Sequence, residues 1–128
     1  MPQILIVEDN TANMRLAVLV LEKQGYEVLQ ATDAEAGIRL AQETLPALIL
    51  MDVQLPGMDG LAATRLLKAD PRTRGIRIVA LTALAMSGDR EKIEGAGCDA
   101  YIAKPIRYKH FLKVVGDWVG SQSTLTSM

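Results

Sequence analysis

The sequence predicts a doubly wound α/β domain, a five-stranded parallel sheet with helices on both faces. Three observations carry this. Five short apolar runs alternate strictly with longer stretches whose apolar residues recur at helical spacing. The first, third and fourth runs are apolar almost throughout, as strands covered on both faces must be, while the second and fifth are weaker and suit sheet edges. Glycines and prolines fall where the helical stretches should stop. Parallel neighbours need right-handed crossovers. Five such units favour the strand order 2-1-3-4-5, the flavodoxin-like arrangement, in which winding reverses between strands one and three.

The first strand is predicted at residues 4–7, rich in branched side chains and too short for a helix. Met14, Leu16, Ala17, Leu19, Val20 and Leu21 then give a broad helical apolar face, with Gly25 as a stop. Residues 27–31 form a weaker second strand around Val28 and Leu29. Asp33 suits the cap of a helix carrying Ala36, Ile38, Leu40 and Ala41. Pro46 breaks the chain before the third strand at residues 47–51. Pro56-Gly57 marks a turn, and a third helix carries Leu61, Ala62, Leu66 and Leu67 and stops near Asp70-Pro71. The fourth strand is residues 77–81, and a polar helix spans 86–96 with Gly97 placed to end it. Residues 99–103 form the fifth strand, and 108–119 close the domain as a helix.

The chain of 128 residues suits one compact domain, residues 1–120, followed by a short flexible tail at 121–128. Met1 and the polar tail favour a natural single-domain protein. Fourteen Lys and Arg against 15 Asp and Glu leave a net charge of -1, so no dominant attraction to nucleic acid or anionic lipid is expected. Cys98 stands alone, which excludes an internal disulfide and a multi-thiolate metal site. The longest apolar runs, 16–21 and 47–51, fall far short of the roughly 20 residues of a membrane span. No charged leader precedes a long apolar segment, so a cytoplasmic location is expected.

In a doubly wound sheet, ligands bind outside the carboxyl ends of the strands at the switch point. Those ends carry Glu8-Asp9-Asn10, Asp52, Thr82-Ala83 and Lys104-Pro105. Carboxylates gathered at one rim repel one another unless a proton or a cation joins them. Their oxygens suit a hard ion such as magnesium. Lys104 adds a fixed positive charge and Thr82 a hydroxyl donor, a combination that fits an oxygen-rich dianion such as a phosphoryl group. Asp52, projecting from the central strand, is the best nucleophile candidate. The loop from Gln54 to Gly60 surrounds it without a bulky cap.

Four blocks then carry a resemblance: Ile4-Leu5-Ile6-Val7-Glu8-Asp9-Asn10, Leu50-Met51-Asp52-Val53-Gln54-Leu55-Pro56-Gly57-Met58-Asp59-Gly60, Ala80-Leu81-Thr82-Ala83 and Tyr101-Ile102-Ala103-Lys104-Pro105. In order and at normal spacing they resemble the receiver domain of bacterial two-component response regulators. Asn13-Met14, Gln24-Gly25-Tyr26-Glu27, Ala85-Met86-Ser87-Gly88-Asp89 and Gly97-Cys98 are most similar to single-domain receivers of the DivK cell-division type.

The resemblance implies a phosphoryl-accepting switch rather than an enzyme, one that assists its own phosphorylation and autodephosphorylation. Asp52 is then the phosphoacceptor. Asp9, Asp52 and the backbone carbonyl of Gln54 ligate Mg2+ or Mn2+, with Glu8 acting through a bound water. Thr82 and Lys104 contact the phosphoryl oxygens, the Tyr101 rotamer follows Thr82, and the Lys104-Pro105 bond is cis. Glu8 departs from the Asp that many members carry, which alters metal geometry or affinity more than activity.

The implied partners are a histidine kinase or phosphotransfer protein and a downstream regulatory protein, with no nucleic acid and no membrane. Readout runs through the fourth helix, fifth strand and fifth helix, about residues 86–119, in a monomer or weak homodimer. Gln54 and Leu84 influence water access, and Leu84 predicts a moderately to long-lived phosphoryl group. Two other classes compete. A constitutive interaction module is opposed by the intact Asp52, Thr82 and Lys104. A phosphohydrolase with a phospho-aspartate intermediate is opposed by Gln54, where such enzymes commonly carry a second Asp. Glu8-Asp9 also suits capping of the first helix. His110 reads as surface or packing, Cys98 as a structural thiol, and Arg72, Arg74 and Arg77 as a solvated basic cluster.

Overall fold

The chain runs β1 (Gln3–Val7), α1 (Thr11–Lys23), β2 (Glu27–Ala31), α2 (Ala34–Thr44), β3 (Leu48–Asp52), α3 (Gly60–Ala69), β4 (Arg77–Thr82), α4 (Ser87–Ala96), β5 (Ala100–Ala103) and α5 (Tyr108–Ser127). The strands hydrogen-bond in the order β2-β1-β3-β4-β5, and every neighbouring pair is parallel. The structure is a computed structural model that describes residues 2–83 and 87–127, without the side chains of 87–88 and 120–127. Leu84 and Met86, invoked above for phosphoryl lifetime and for the start of the readout surface, lie outside the described residues.

Alternate strand residues point to opposite faces, and the sequence uses both. Leu5, Val7, Ile49, Met51, Ile78 and Ala80 pack with Ala34 and Ala41 of α2, Ala63 and Leu67 of α3 and Ile93 of α4. Ile4, Ile6, Leu48, Leu50, Val79 and Leu81 pack with Met14, Ala17 and Leu21 of α1 and with Phe111, Val115 and Val119 of α5. This two-sided burial is why β1, β3 and β4 are apolar almost throughout, with polar residues only at their ends. Phe111 is fully buried, and a phenyl ring so placed contributes about 2–3 kcal/mol.

Three helices start on a side-chain cap. Asn10 accepts from the Asn13 amide at 2.9 Å, Asp33 from Ala36 at 2.8 Å, and Asp59 from Ala62 at 2.8 Å. The cap of α1 is therefore Asn10, not Glu8 or Asp9, which leaves those two carboxylates for other work. α5 continues past the boundary expected at Val119 to Ser127. Phe111, Val115 and Val119 anchor its first turns, no proline follows, and extending a formed helix costs far less than starting one. β5 begins one residue later than expected because Asp99 turns its carboxylate back. It accepts from the Ile78 amide at 2.8 Å and pairs with Lys68 and Arg77.

Candidate functional site

Strand register brings the predicted residues together. Val7 lies beside Met51, so the next residues, Glu8 and Asp52, leave the sheet as neighbours. Asp52 lies beside Leu81, and Thr82 beside Ala103, so Lys104 follows on the same rim. The Lys104 amide donates to the Thr82 carbonyl at 2.7 Å, and the Lys104-Pro105 bond is cis as expected.

The rim is an acidic pocket around one ammonium. Lys104 Nζ lies 2.8 Å from Glu8 Oε1 and donates to Asp52 Oδ2 at 2.9 Å. Glu8 and Asp52 are buried, and Asp9 is exposed at the edge. Two backbone amides orient the acids: Gln54 donates to Asp52 Oδ1 at 2.9 Å and Asn10 to Glu8 Oε2 at 3.3 Å. Glu8 Oε1 touches the ammonium off the hydrogen-bond direction, so this buried oxygen has an ionic contact but no aligned donor.

The charges do not balance, and the titration behaviour follows. Burial lifts the Glu8 carboxyl to a pKa of about 7, the adjacent Asp52 adds to the rise, and Lys104 and the Asn10 amide pull against it. Burial works to lower the pKa of Lys104, but its attraction to the Glu8 and Asp52 carboxylates outweighs it and the net movement is upward. Glu8, Asp9 and Asp52 bring one carboxylate oxygen each to within 4.8 Å of one another. All-oxygen donors, excess negative charge and one buried oxygen without an aligned hydrogen-bond donor fit a hard divalent cation.

Thr82 is fully buried as the last residue of β4. Tyr101 is half-buried on β5 and packs against the side of the core that holds Ile93 and Cys98. Arg90 of α4 donates to the Tyr101 hydroxyl at 3.0 Å, and its guanidinium stands 5.6 Å from the ring centroid. Sequence reasoning missed Arg90, because two residues on different elements carry no shared spacing signal. Cys98 is buried and donates to Thr64 Oγ1 at 3.8 Å. Arg77 packs over Trp118 and Arg72 pairs with Asp70, so the basic cluster is only partly a free solvated loop. No helix among the described residues is long and apolar enough to cross a membrane.

Comparison with known proteins places this geometry. The response regulator receiver domain family matches residues 4–116. The polar-differentiation response regulator DivK of Brucella anthropi is 44% identical over 117 residues, 91% of this chain and 95% of its own length. The receiver domain of sensor histidine kinase PA1611 from Pseudomonas aeruginosa, solved with a magnesium ion coordinated in its active-site cleft, superposes with a TM-score of 0.87. Its identity is 38%, and the match covers 93% of this chain and 98% of that one. A complex of the Saccharomyces cerevisiae phosphotransfer protein Ypd1 with the receiver domain of Ssk1 gives 0.89 at 28% identity, covering 94% and 90%. Fold, strand-end chemistry and similarity along nearly the whole chain agree: it belongs to the response regulator receiver domain family, the phosphoacceptors of two-component signalling, and is of the DivK type.

Proposed function

We propose that Asp52 is the phosphoacceptor and that Glu8, Asp9, Thr82 and Lys104 are the groups that make its phosphorylation possible. The observation that supports this best is the single ammonium of Lys104 held between the buried carboxylates of Glu8 and Asp52. An Asp52 carboxylate oxygen forms a bond to the phosphorus of a phosphohistidine. The phosphorus–nitrogen bond breaks, and the departing imidazole keeps the electron pair and takes up a proton. The Gln54 amide fixes the rotation of the attacking carboxylate. Lys104 transfers its contact from Asp52 to a phosphoryl oxygen, and the Thr82 hydroxyl donates to another.

Asp9, Asp52 and the Gln54 carbonyl, backed by Glu8, would hold a magnesium or manganese ion, which supplies positive charge opposite the phosphoryl oxygens. Phosphorylation places roughly two negative charges at the rim. Thr82 and Tyr101 then repack, and the change is read on α4, β5 and α5 by a protein partner. The donor is a histidine kinase or phosphotransfer protein, and slow hydrolysis of the acyl phosphate at the same site resets the switch.

The test is magnesium-dependent labelling by acetyl phosphate of the wild-type chain and of Asp52→Asn. Labelling of the wild type alone is expected. Equal labelling of both overturns the role of Asp52.

A further inference from the structure

We infer that Arg107 and His110 form an anion-steering site that receives the phosphoryl group of the donor on its way to Asp52. The inference rests on the reading of Asp52 as phosphoacceptor. A cavity of about 400 Å³ opens beside Lys104, lined by Ala103, Lys104, Pro105, Arg107 and His110. Lys104 thus borders two spaces, the acidic pocket and this one. Among the described residues lining the cavity, three are basic or imidazole side chains and none is acidic. Arg107 and His110 are exposed, and among the described residues neither enters an ion pair.

The acidic pocket poses a problem that this cavity answers. Even with a divalent cation on the three carboxylates, that cation and the one ammonium only neutralise them, while a phosphoryl group arrives with roughly two negative charges of its own. Asp9, exposed at the edge of the acidic pocket, offers an arriving donor no positive charge. The β5–α5 side therefore offers the favourable approach, because positive groups beside a cleft raise the local concentration of anions. The guanidinium fork of Arg107 matches two phosphoryl oxygens, and the His110 imidazole offers an N–H donor from one ring nitrogen. The backbone that carries them is anchored. The Arg107 carbonyl accepts from the Phe111 amide at 2.9 Å, and Phe111 is fully buried. A spacing of three residues around this first turn sets Arg107 and His110 on one side.

The experiment follows Asp52 labelling against donor concentration for the wild type, Arg107→Ala, Arg107→Lys, Arg107→Glu and His110→Ala. Acetyl phosphate and phosphoramidate serve as donors, because they share only the phosphoryl group. The expected result is a rise of about 3-fold to 10-fold in the half-saturating donor concentration for Arg107→Ala, and a larger rise for Arg107→Glu. Recovery in Arg107→Lys and an unchanged saturating rate are also expected. The wild-type advantage should shrink as salt is raised, because exposed charges are screened. Arg107→Glu with a wild-type concentration dependence, or an effect confined to one donor, overturns the inference. A wild type that is not labelled at Asp52 would instead overturn the phosphoacceptor reading itself. Circular dichroism of each variant confirms that the fold is retained.

Discussion

Lys104 Nζ stands 2.9 Å from Asp52 Oδ2, a contact that closes 52 residues of chain. The same ammonium touches Glu8, whose side chain is 1% exposed. Removing it leaves two buried carboxylates without their shared cation. Lys104→Met is expected to lose about 3 kcal/mol of stability at neutral pH without metal. Much of that loss should return on adding magnesium or on acidification, since both relieve the same repulsion. Urea denaturation with and without magnesium measures it, and an unperturbed metal-free stability would contradict the ionic account.

Glu8 predicts the direction of the pH dependence. Its folded pKa of about 7 lies above the ordinary 4.5, so between these values the native state binds more protons than the unfolded chain. Stability from this group is complete below about pH 4.5 and is lost as pH rises through 7. The metal-free protein should lose on the order of 3 kcal/mol across that window through Glu8. Glu8→Gln should flatten the profile, and magnesium binding near pH 6.5 should release a proton, read by calorimetry in buffers of different ionisation enthalpy. A wild-type profile as flat as that of Glu8→Gln would count against the shift.

Arg90 holds Tyr101 from α4 through a hydrogen bond and a cation–π contact. If the tyrosine repacks on phosphorylation, this contact must break first. Arg90→Ala should then bind beryllofluoride, a phosphoryl mimic, about two- to fivefold more tightly, the scale an exposed cation–π contact carries. Titration followed by NMR of the Tyr101 ring decides it. Unchanged affinity with an unchanged ring signal would remove Arg90 from the switch.

The fold was legible because most strand ends and helix stops among the described residues follow local rules. The alternation of apolar runs gave the sheet, and the switch point told which residues share a rim, so Glu8, Asp9, Asp52, Thr82 and Lys104 were identifiable from widely separated segments. What stayed hidden depends on contacts with no sequence period. Arg90 reaches Tyr101 from another element, Asp99 gathers Lys68, Arg77 and the Ile78 amide at the opposite end of the sheet, and α5 draws its length from buried anchors. Leu45 is a further case. It closes α2 with φ +48° and ψ +63°, a left-handed conformation that no leucine advertises.

That conformation makes a stability prediction. Leu45 is 54% exposed, so little burial is lost on truncating it. A side chain in the left-handed region costs roughly 1–2 kcal/mol, partly offset by the greater entropy a glycine loses on folding. Leu45→Gly should therefore raise stability by up to about 1 kcal/mol, seen as a higher Tm with unchanged phosphorylation. A lower Tm would mean that the side chain makes a packing contribution larger than its strain.

Two glycines after Asp52, Gly57 in the loop and Gly60 at the start of α3, should fail for different reasons. Gly57 has φ +73° and open space around it, so Gly57→Ala meets only backbone strain and should cost about 1 kcal/mol. Gly60 has no such angle, but a Cβ there would stand 1.9 Å from the Asp52 carbonyl oxygen. The obstacle is backbone, so α3 or the end of β3 must move. The Gly60 amide, which donates to the Val53 carbonyl at 3.0 Å, must move with it. Gly60→Ala should cost about 3 kcal/mol. It should also slow acetyl phosphate labelling by at least about tenfold, since small displacements of a reacting group are expensive. Gly57→Ala should be labelled at nearly the wild-type rate. Equal losses in the two variants, in stability and in labelling alike, would mean that the close approach of α3 does not position Asp52.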